Sequence, residues 1–573
     1  MTLRVVRRAT AQDAGAIGDA LHPVLRRVYA ARGIRTAREL ETGLEHLTPV
    51  GTLESVEAAA ELLLAQRAGG RILVIGDFDA DGATSTALML RALRAWGFTA
   101  DFLVPNRFAF GYGLTPQIVR VAAERKPTLI VTVDNGIASL AGVEEARAHG
   151  IEVLITDHHL PGEALPAARV IVNPNLPGSR FASGSLAGVG VAFYVLAALH
   201  RRLGAAGLLA AGAPGVAEWL DLVALGTVAD LVPLDRNNRV LVDQGLKRIR
   251  AGRCVEGISA LLALASRQRE RLVSADLGFT VGPRLNAAGR LEDMSIGIQC
   301  LLEDDPAAAA ALAARLDALN RERREIEARM QAEALAAVRG LAERDPDAEQ
   351  RSAVCLFDAQ WHQGVVGLVA SRVKDRLRRP VIAFAAAGEE ELRGSARSVP
   401  GIHIRDVLAQ LDARHPGLIG RFGGHAMAAG LTLARAELDR FAACFDAAVA
   451  TWPERSALRD VIETDGALAV DEIALPTAEA LRAGGPWGQA FPEPSFDGVF
   501  TVRTARVVGE RHLKMWVHGE RNRAFDAIAF NSLDPQSEAP LPQGERRLVY
   551  RLDVNEYQGE RRLQLLVDHI LAP

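Results

Sequence analysis

Much that would mark a secreted, membrane-bound or wholly nucleic-acid-coating chain is missing here. Cysteine is scarce: Cys254, Cys300, Cys355 and Cys444 lie tens of residues apart, which excludes a zinc knuckle and a dense disulfide framework and fits a reducing cytosol. No run reaches roughly 18 apolar residues without a charge or a turn, and Met1 to Thr10 is studded with arginine. The expectation is a soluble, unexported, cytoplasmic protein with no membrane contact. A dominant charge is lacking as well. The 66 basic and 70 acidic residues leave a formal net charge of −4, so any nucleic-acid site must be local. Lysine is nearly absent, with only Lys126, Lys247, Lys374 and Lys514, and arginine carries almost all the positive charge. Genomic composition bias accounts for this, although the arginine fork suits phosphate wherever a cleft gathers it. There is no internal repeat, and no low-complexity tract beyond alanine-rich helices.

What is there is a globular chain of 573 residues, 49% hydrophobic and 24% charged, enough for three or four domains at roughly 150 residues each. Short apolar runs at Arg71 to Ile75, Thr99 to Val104, Thr128 to Val133, Ile151 to Thr156 and Arg169 to Val172 alternate with helical periodicity at Ala83 to Trp96, Pro116 to Arg125 and Ser139 to His149. That alternation predicts βαβ units around a parallel sheet. Leu186 to Ile249 reads as helical, and Pro306 to Arg344 as one long polar-rich helix of the kind that bridges domains. A second α/β unit is expected from Val354 to about Trp452. Beyond Pro453, alternating runs at Phe500 to Val502, Met515 to Val517, Ala527 to Phe530 and Leu548 to Val554 predict a small barrel or sandwich.

Three carboxylates, Asp77, Asp79 and Asp81, alternate directly after the first strand. Such spacing turns oxygen ligands towards one cation, whereas three like charges without one raise each other's pKa. A solvated acidic turn is the plain alternative. An EF-hand is excluded, because its twelfth position needs a bidentate Glu and Leu88 stands there. Two more strands end in Asp134-Asn135-Gly136 and Asp157-His158-His159. Singly, these read as a turn and a helix cap. Together they aim at the crevice beyond the carboxyl ends of the strands, where open α/β sheets place their sites. Asp230 lies in apolar surroundings that are costly for an unpaired acid, unless it ends a helix in water. Asp and His without thiolate suit Mn2+ or Mg2+, and the carboxylate count supports two ions sharing an aspartate, an arrangement suited to phosphoester hydrolysis.

These residues resemble the DHH phosphoesterase superfamily, whose signature is Asp157-His158-His159. Gly420 to Gly430, with its Gly-Gly-His core, is similar to the DHHA1 substrate domain. Gly76 to Gly82, Pro105 to Arg107 with Gly111 to Gly113, Gly282 to Arg290 and Trp361 to Arg372 resemble the superfamily branch of bacterial single-strand-specific exonucleases. The resemblance implies an α/β fold: a helical lead-in over 1–50, a parallel-sheet DHH phosphoesterase domain over 51–300, a long connecting helix over 301–345, a second α/β DHHA1 domain over 346–452 and a C-terminal OB-like β-barrel over 453–573. It implies Asp79 and Asp81 on separate metals, Asp134 bridging, His158 and Asp230 completing the second site, and His159 facing the scissile phosphate, with Asp157 ligating or orienting the histidines. Many members carry a His four residues before the position of Asp79. Ile75 stands there, and the resemblance implies that Asp77 takes the ligand role instead.

For substrate, Arg284, Asn286 and Arg290 are read as a glycine-bounded loop for backbone phosphates, with a structural turn and salt bridges as the alternative. By resemblance, Ser395 and Arg397 receive a terminal phosphate, joined by Arg107. Gly423, Gly424 and His425 would approach another phosphate or the leaving nucleotide, or else merely start a helix. Arg511, Lys514, Trp516, Arg521, Arg523, Tyr557, Arg561 and Arg562 are candidates for a single-strand groove on the barrel, with Trp516 and Tyr557 equally able to serve as core. The implied activity is 5′→3′ hydrolysis of single-stranded DNA to 5′-mononucleotides in repair and recombination. The implied partners are a single-strand-binding protein and a helicase, with the enzyme itself a monomer. A small-substrate phosphodiesterase or pyrophosphatase is the nearest rival, and a non-catalytic scaffold the more distant one.

Overall fold

The computed structural model describes residues 4–9, 17–18, 20–105, 113–344, 351–452, 461–509, 511–533, 540–557 and 560–573. Arg107, Gly111 and Tyr112 lie outside the described residues, as does the side chain of Tyr557. Two compact units emerge. One comprises Met1–Leu285, Met294–Ala314 and Val461–Pro573, and the other Asn286–Asp293 and Arg315–Asp460.

The first unit opens with strand β1 (Arg4–Arg7), a departure from an all-helical lead-in. Its valines give it strand propensity, and it gains a partner only from far along the chain. Strands β2 (Arg71–Gly76), β3 (Thr99–Leu103), β4 (Leu129–Val133), β5 (Glu152–Thr156) and β6 (Val170–Val172) form a parallel sheet of order β3-β2-β4-β5-β6. β2, β4 and β5 are central, and nearly every residue in them is buried, so they read as continuous apolar runs rather than alternating ones. Helices cover the sheet. Leu73, Ile75, Ile130, Val153 and Ile155 pack on one side against Ile118, Val119 and Val143 of the crossover helices.

The second unit contains a mixed sheet: β7 (Val354–Phe357), β8 (Val381–Ala386), β9 (Glu391–Arg397), β10 (Arg421–Gly424) and β11 (Ala428–Ala434), in the order β10-β11-β9-β8-β7. Only β7 and β8 run parallel. The helix Pro306–Arg344 leads into this unit, and Met330 and Ala334 on it are buried against Trp361, Val365 and Val369.

The chain then returns to the first unit through β12 (Val461–Thr464), which pairs in parallel with β1. A closed barrel follows, built from β13 (Phe496–Val508), β14 (His512–His518), β15 (Ala524–Ala529), β16 (Gly544–Tyr557) and β17 (Glu560–Leu571) in the order β13-β14-β15-β17-β16. Within β13 Asp497 accepts hydrogen bonds from Arg7, Arg547 and Thr464, at 2.7 Å from the latter two.

Candidate metal and active site

The acids sit where the strands stop. Asp77 follows β2 and is 4% exposed. Asp79 caps the helix Ala80–Ala95 by accepting the Asp81 and Gly82 N–H groups at 3.0 Å, so one acid of the turn is also the anion a helix start favours. Asp81 points inward and accepts the N–H groups of Gly188 at 2.6 Å and Val189 at 3.0 Å, at the start of helix Gly188–Ala205. Asp134, after β4, adopts φ 62°. Gly188 must be glycine to lie against it, since a Cβ there would stand 2.6 Å from Asp134 Cβ.

After β5, Asp157 is fully buried and saturated. Its Oδ1 accepts the N–H groups of His158 at 2.7 Å and His159 at 3.1 Å and meets His159 Nδ1 at 2.8 Å, while Oδ2 accepts Ile137 N–H at 2.9 Å. A carboxylate with four donors orients its neighbours. His158 Nε2 lies 3.1 Å from Asp134 Oδ1 and 3.5 Å from Asp230 Oδ2, and His159 Nδ1 lies 4.0 Å from Asp134 Oδ1. Asp230 sits just past helix Leu220–Ala229, where the helix dipole opposes a negative charge.

These contacts sort the carboxylates electrostatically. Burial first, then mutual repulsion, pushes Asp81 up to about 7 and carries Asp134 and Asp230 well above the usual carboxylate range. Burial also opposes charge on Asp157 and His159, yet their hydrogen bond wins: Asp157 is lowered and His159 is raised to about 9. Asp134 Oδ1 is buried without a hydrogen-bond partner. Three sets of potential ligand atoms, each within 4.8 Å of one another, come from Asp77, Asp79 and Asp134, from Asp134, His158 and His159, and from Asp81, His158 and Asp230. Asp134 belongs to two sets. A buried oxygen without a hydrogen bond, facing two imidazoles amid mutually repelling carboxylates, fits divalent cations.

Two asparagines, Asn173 and Asn175, escaped the sequence reading, and Asn135 was read only as part of a turn. Asn135 Nδ2 donates to Ile75 O and Val133 O, tying the ends of β2 and β4. Asn175 Nδ2 donates to His158 O at 2.6 Å and Asn173 Nδ2 to His159 O at 2.8 Å, and Asn175 N–H closes onto Asn173 Oδ1 at 2.7 Å. The available signal was position: Asn173-Pro174-Asn175 follows β6 as the acids follow their own strands.

The expected substrate loop at Gly282 to Arg290 is instead a helix, Gly282–Leu291, entered through a π-helical turn at Leu277–Val281. Leu285, Ala287 and Ala288 are fully buried, and this apolar face overrides the glycine punctuation. Arg284 donates to Thr280 O at 2.6 Å, and Arg290 to Gly364 O at 3.2 Å in the second unit, where Asn286 also belongs. Ser395 and Arg397 share one face of β9, where Arg397 Nη1 donates to Ser395 Oγ at 3.0 Å. Both border the start of helix Val366–Leu377, because a Cβ on Gly367 would come within 2.7 Å of Arg397 Nη2 and 2.9 Å of Ser395 Oγ. Gly423, Gly424 and His425 form a β-hairpin end, not a helix start, with Gly424 at φ 144° and His425 N–H on Ala428 O. Gly423, Gly430 and Ser395 lie in one cross-strand row. On the barrel, Trp516 is 52% exposed, while Lys514, Arg561 and Arg562 pair with Asp526, Glu479 and Glu560. No helix among the described residues is long and apolar enough to cross a membrane.

A parallel sheet carrying an Asp-His-His triplet and further acids beyond its strand ends defines a DHH-type phosphoesterase. Residues 71–227 match the DHH family N-terminal domain, 350–451 the DHHA1 domain and 464–569 the RecJ OB domain. The single-stranded-DNA-specific exonuclease RecJ of Dickeya dadantii (strain 3937) is 53% identical over 570 residues, covering 98% of each chain. The crystal structure of RecJ in complex with Mn2+ from Thermus thermophilus matches 100% of this chain and 80% of its own at TM-score 0.82 and 31% identity. The Mg2+ complex from the same organism matches 100% of this chain and 78% of its own at TM-score 0.77 and 29% identity. The chain belongs to the RecJ family of single-stranded-DNA-specific exonucleases.

Proposed function

We infer that this protein hydrolyses single-stranded DNA from the 5′ end to 5′-mononucleotides, in DNA repair and recombination, using two Mn2+ or Mg2+ ions. The observation that carries the reading is Asp134, whose buried Oδ1 makes no hydrogen bond and which belongs to two clusters of potential ligand atoms. Asp77, Asp79 and Asp134 would hold one ion, and Asp81, His158 and Asp230, again with Asp134, the other. When bound, the ions supply charge stabilisation at the phosphate and a water acidic enough to attack it. Every remaining duty falls to side chains. Asp157 keeps His159 protonated and aimed, and His159 gives a proton to the 3′-oxygen that leaves with the terminal nucleotide. The shortened strand keeps the attacked phosphate as its new 5′ end. Ser395 and Arg397, with Arg107, would grip that terminal phosphate, while Arg284, Asn286 and Arg290 would hold backbone phosphates and Gly423, Gly424 and His425 the outgoing nucleotide. The enzyme would act as a cytoplasmic monomer on ends opened by a helicase and coated by a single-strand-binding protein.

The test is digestion of 5′- and 3′-labelled single strands with Mn2+, beside a dinucleotide and an Asp134→Ala control. Mononucleotides released from the 5′ end, and lost in the control, support the reading. Preference for the dinucleotide moves the protein to the small-substrate branch, and silence on every substrate revives the scaffold.

A further inference from the structure

The sheet of the second unit has one closed face and one that is partly open. Leu392, Ala396, Ala429, Leu431 and Leu433 point into the apolar core. Alternation therefore sends Arg393, Ser395 and Arg397 of β9 to the other side, together with Gly430 and Thr432 of β11 and Arg421 and Gly423 of β10. On that side β8 is covered, since its Val381, Ala383 and Ala385 pack with Val366, Val369 and Ala370 of helix Val366–Leu377. Past β9 the cover stops: a Cβ added to Gly423 or Gly430 would meet no atom within 4 Å. The register lays this shelf out in three rows, Arg397 beside Ala428, then Ser395, Gly430 and Gly423, then Arg393, Thr432 and Arg421. Ser395 and Arg397, which the exonuclease reading gives to the terminal phosphate, fall in the first two rows.

The third row has no duty in the chemistry above. Among the described residues no carboxylate pairs with Arg393 or Arg421, and Gln363 Oε1 braces Arg393 by accepting from its Nη1 at 3.3 Å. Two arginines two strands apart, with about 10 Å between their backbones, can close over one anion. Their row lies about 6.8 Å from that of Ser395, two residues along the strand. It also lies on the far side. The hairpin end that carries His425, assigned to the outgoing nucleotide, closes the shelf at the Arg397 end, where Ala428 pairs with Arg397. Beyond Ser395 in the opposite direction, a strand that ends in a monophosphate has no group left to bind.

We propose that Arg393 and Arg421, with Thr432 between them, form a subsite for the extra phosphates of a 5′-diphosphate or 5′-triphosphate end, so that the protein also degrades strands still carrying the triphosphate of unprimed synthesis. The identity of the ligand rests on the exonuclease reading and its place for the terminal phosphate. The open shelf and its unpaired charge stand apart from that reading. The reaction keeps its atoms: water adds to the phosphorus of the second nucleotide, the 3′-oxygen of the first leaves with a proton, and the phosphoanhydride bonds stay whole. The first product is then a nucleoside 5′-triphosphate, and every later one a monophosphate.

Arg393→Gln and Arg421→Gln test this with little risk to folding, because neither arginine is in an ion pair and Arg421 is exposed. Single-stranded DNA with a 5′-triphosphate is compared with the same strand bearing a 5′-monophosphate. The wild type should take the triphosphate end at a KM about tenfold lower, and each variant should erase that preference while handling the monophosphate strand as before. Anion-exchange chromatography should show a triphosphate as the first nucleotide released. A wild type without the preference, a first release of monophosphate and pyrophosphate, or variants that weaken both strands alike overturn the subsite. In parallel, both strands are bound with Ca2+ in place of Mn2+ and followed by fluorescence anisotropy. A triphosphate preference that the variants lose upholds the subsite even if no strand is cut, in which case the exonuclease reading falls alone. Equal binding of the two ends by the wild type, with hydrolysis intact, removes the subsite alone.

Discussion

The acids at the ends of the catalytic strands and the buried acids at the start of β13 and just after β12 have opposite surroundings. Asp497 is 1% exposed, and the hydrogen bonds from Arg7, Thr464 and Arg547 outweigh its burial and hold it down to about 2. Asp465 is likewise gripped by Arg32 at 2.7 Å, with both side chains 2% exposed. Asp81 and Asp134 are buried as well and Asp230 is partly so, yet among the described residues no lysine or arginine pairs with them, and desolvation and their own mutual repulsion raise all three. A buried carboxylate surrounded by guanidinium groups is completed by the fold. One surrounded by other carboxylates is completed only by something that binds.

The sharpest way to break this contrast is to neutralise one acid of each kind. Asp134→Asn keeps the shape and tolerates the left-handed backbone. It should cut Mn2+-dependent nucleotide release by about a thousandfold or more while raising the melting temperature of the metal-free protein, because a repelling charge is gone. A variant that stays active, or melts lower without metal, would put Asp134 with the structural acids. Asp497→Ala should do the reverse, costing about 3 kcal/mol in denaturant unfolding by stranding its partners, with the rate per folded molecule unchanged.

The pH dependence should also run in opposite directions. In metal-free protein Asp81 titrates near 7, above its unfolded value, so its contribution is intact below about pH 4 and is lost as pH rises towards about 7. Asp497 contributes above about pH 4, and that stability is lost as pH falls through about 2. Thermal melts across pH should show both limbs, and Mn2+ or Asp81→Asn should flatten only the upper one. The smallest effect is expected at Asn175→Ala, which frees the His158 carbonyl. Mn2+ affinity, read by electron paramagnetic resonance, should weaken about tenfold with single-strand binding in Ca2+ unchanged.

The first sheet was legible because its central strands are buried on both faces. The runs at Arg71, Thr128 and Ile151 land within a residue of β2, β4 and β5, and the acids follow where those runs break. Helix Ala80–Ala95 starts earlier than its apolar periodicity, since Asp79 caps it and Asp81 falls in its first turn, a double duty that polarity alone disguises. Glycine misled twice. At Gly282 it allows close packing within a helical region where a loop is expected, and at Gly424 it serves a hairpin, which differs from the helix start held as the alternative there. In the barrel, β17 and the first residues of β13 went unread. Arg561, Arg562 and Asp568 on the outer surface break up the apolar alternation of β17, and only closure of the sheet explains its length. The supporting asparagines were invisible for another reason: their partners are backbone carbonyls, which no side-chain pattern announces.

The pairing of β1 with β12 sets a schedule for biosynthesis. Arg4 meets Val461, and Arg7 must wait longer still for Asp497. At about 5–20 residues per second a ribosome needs tens of seconds to deliver those partners, and meanwhile the first strand is an unpaired edge awaiting a distant mate. The first unit therefore cannot lock its two ends together until the barrel is being made, by which time the catalytic sheet has long been available to fold. Chain closure comes last in such an order, and a ribosome that stalls before Val461 leaves a nascent chain whose first strand has no native partner.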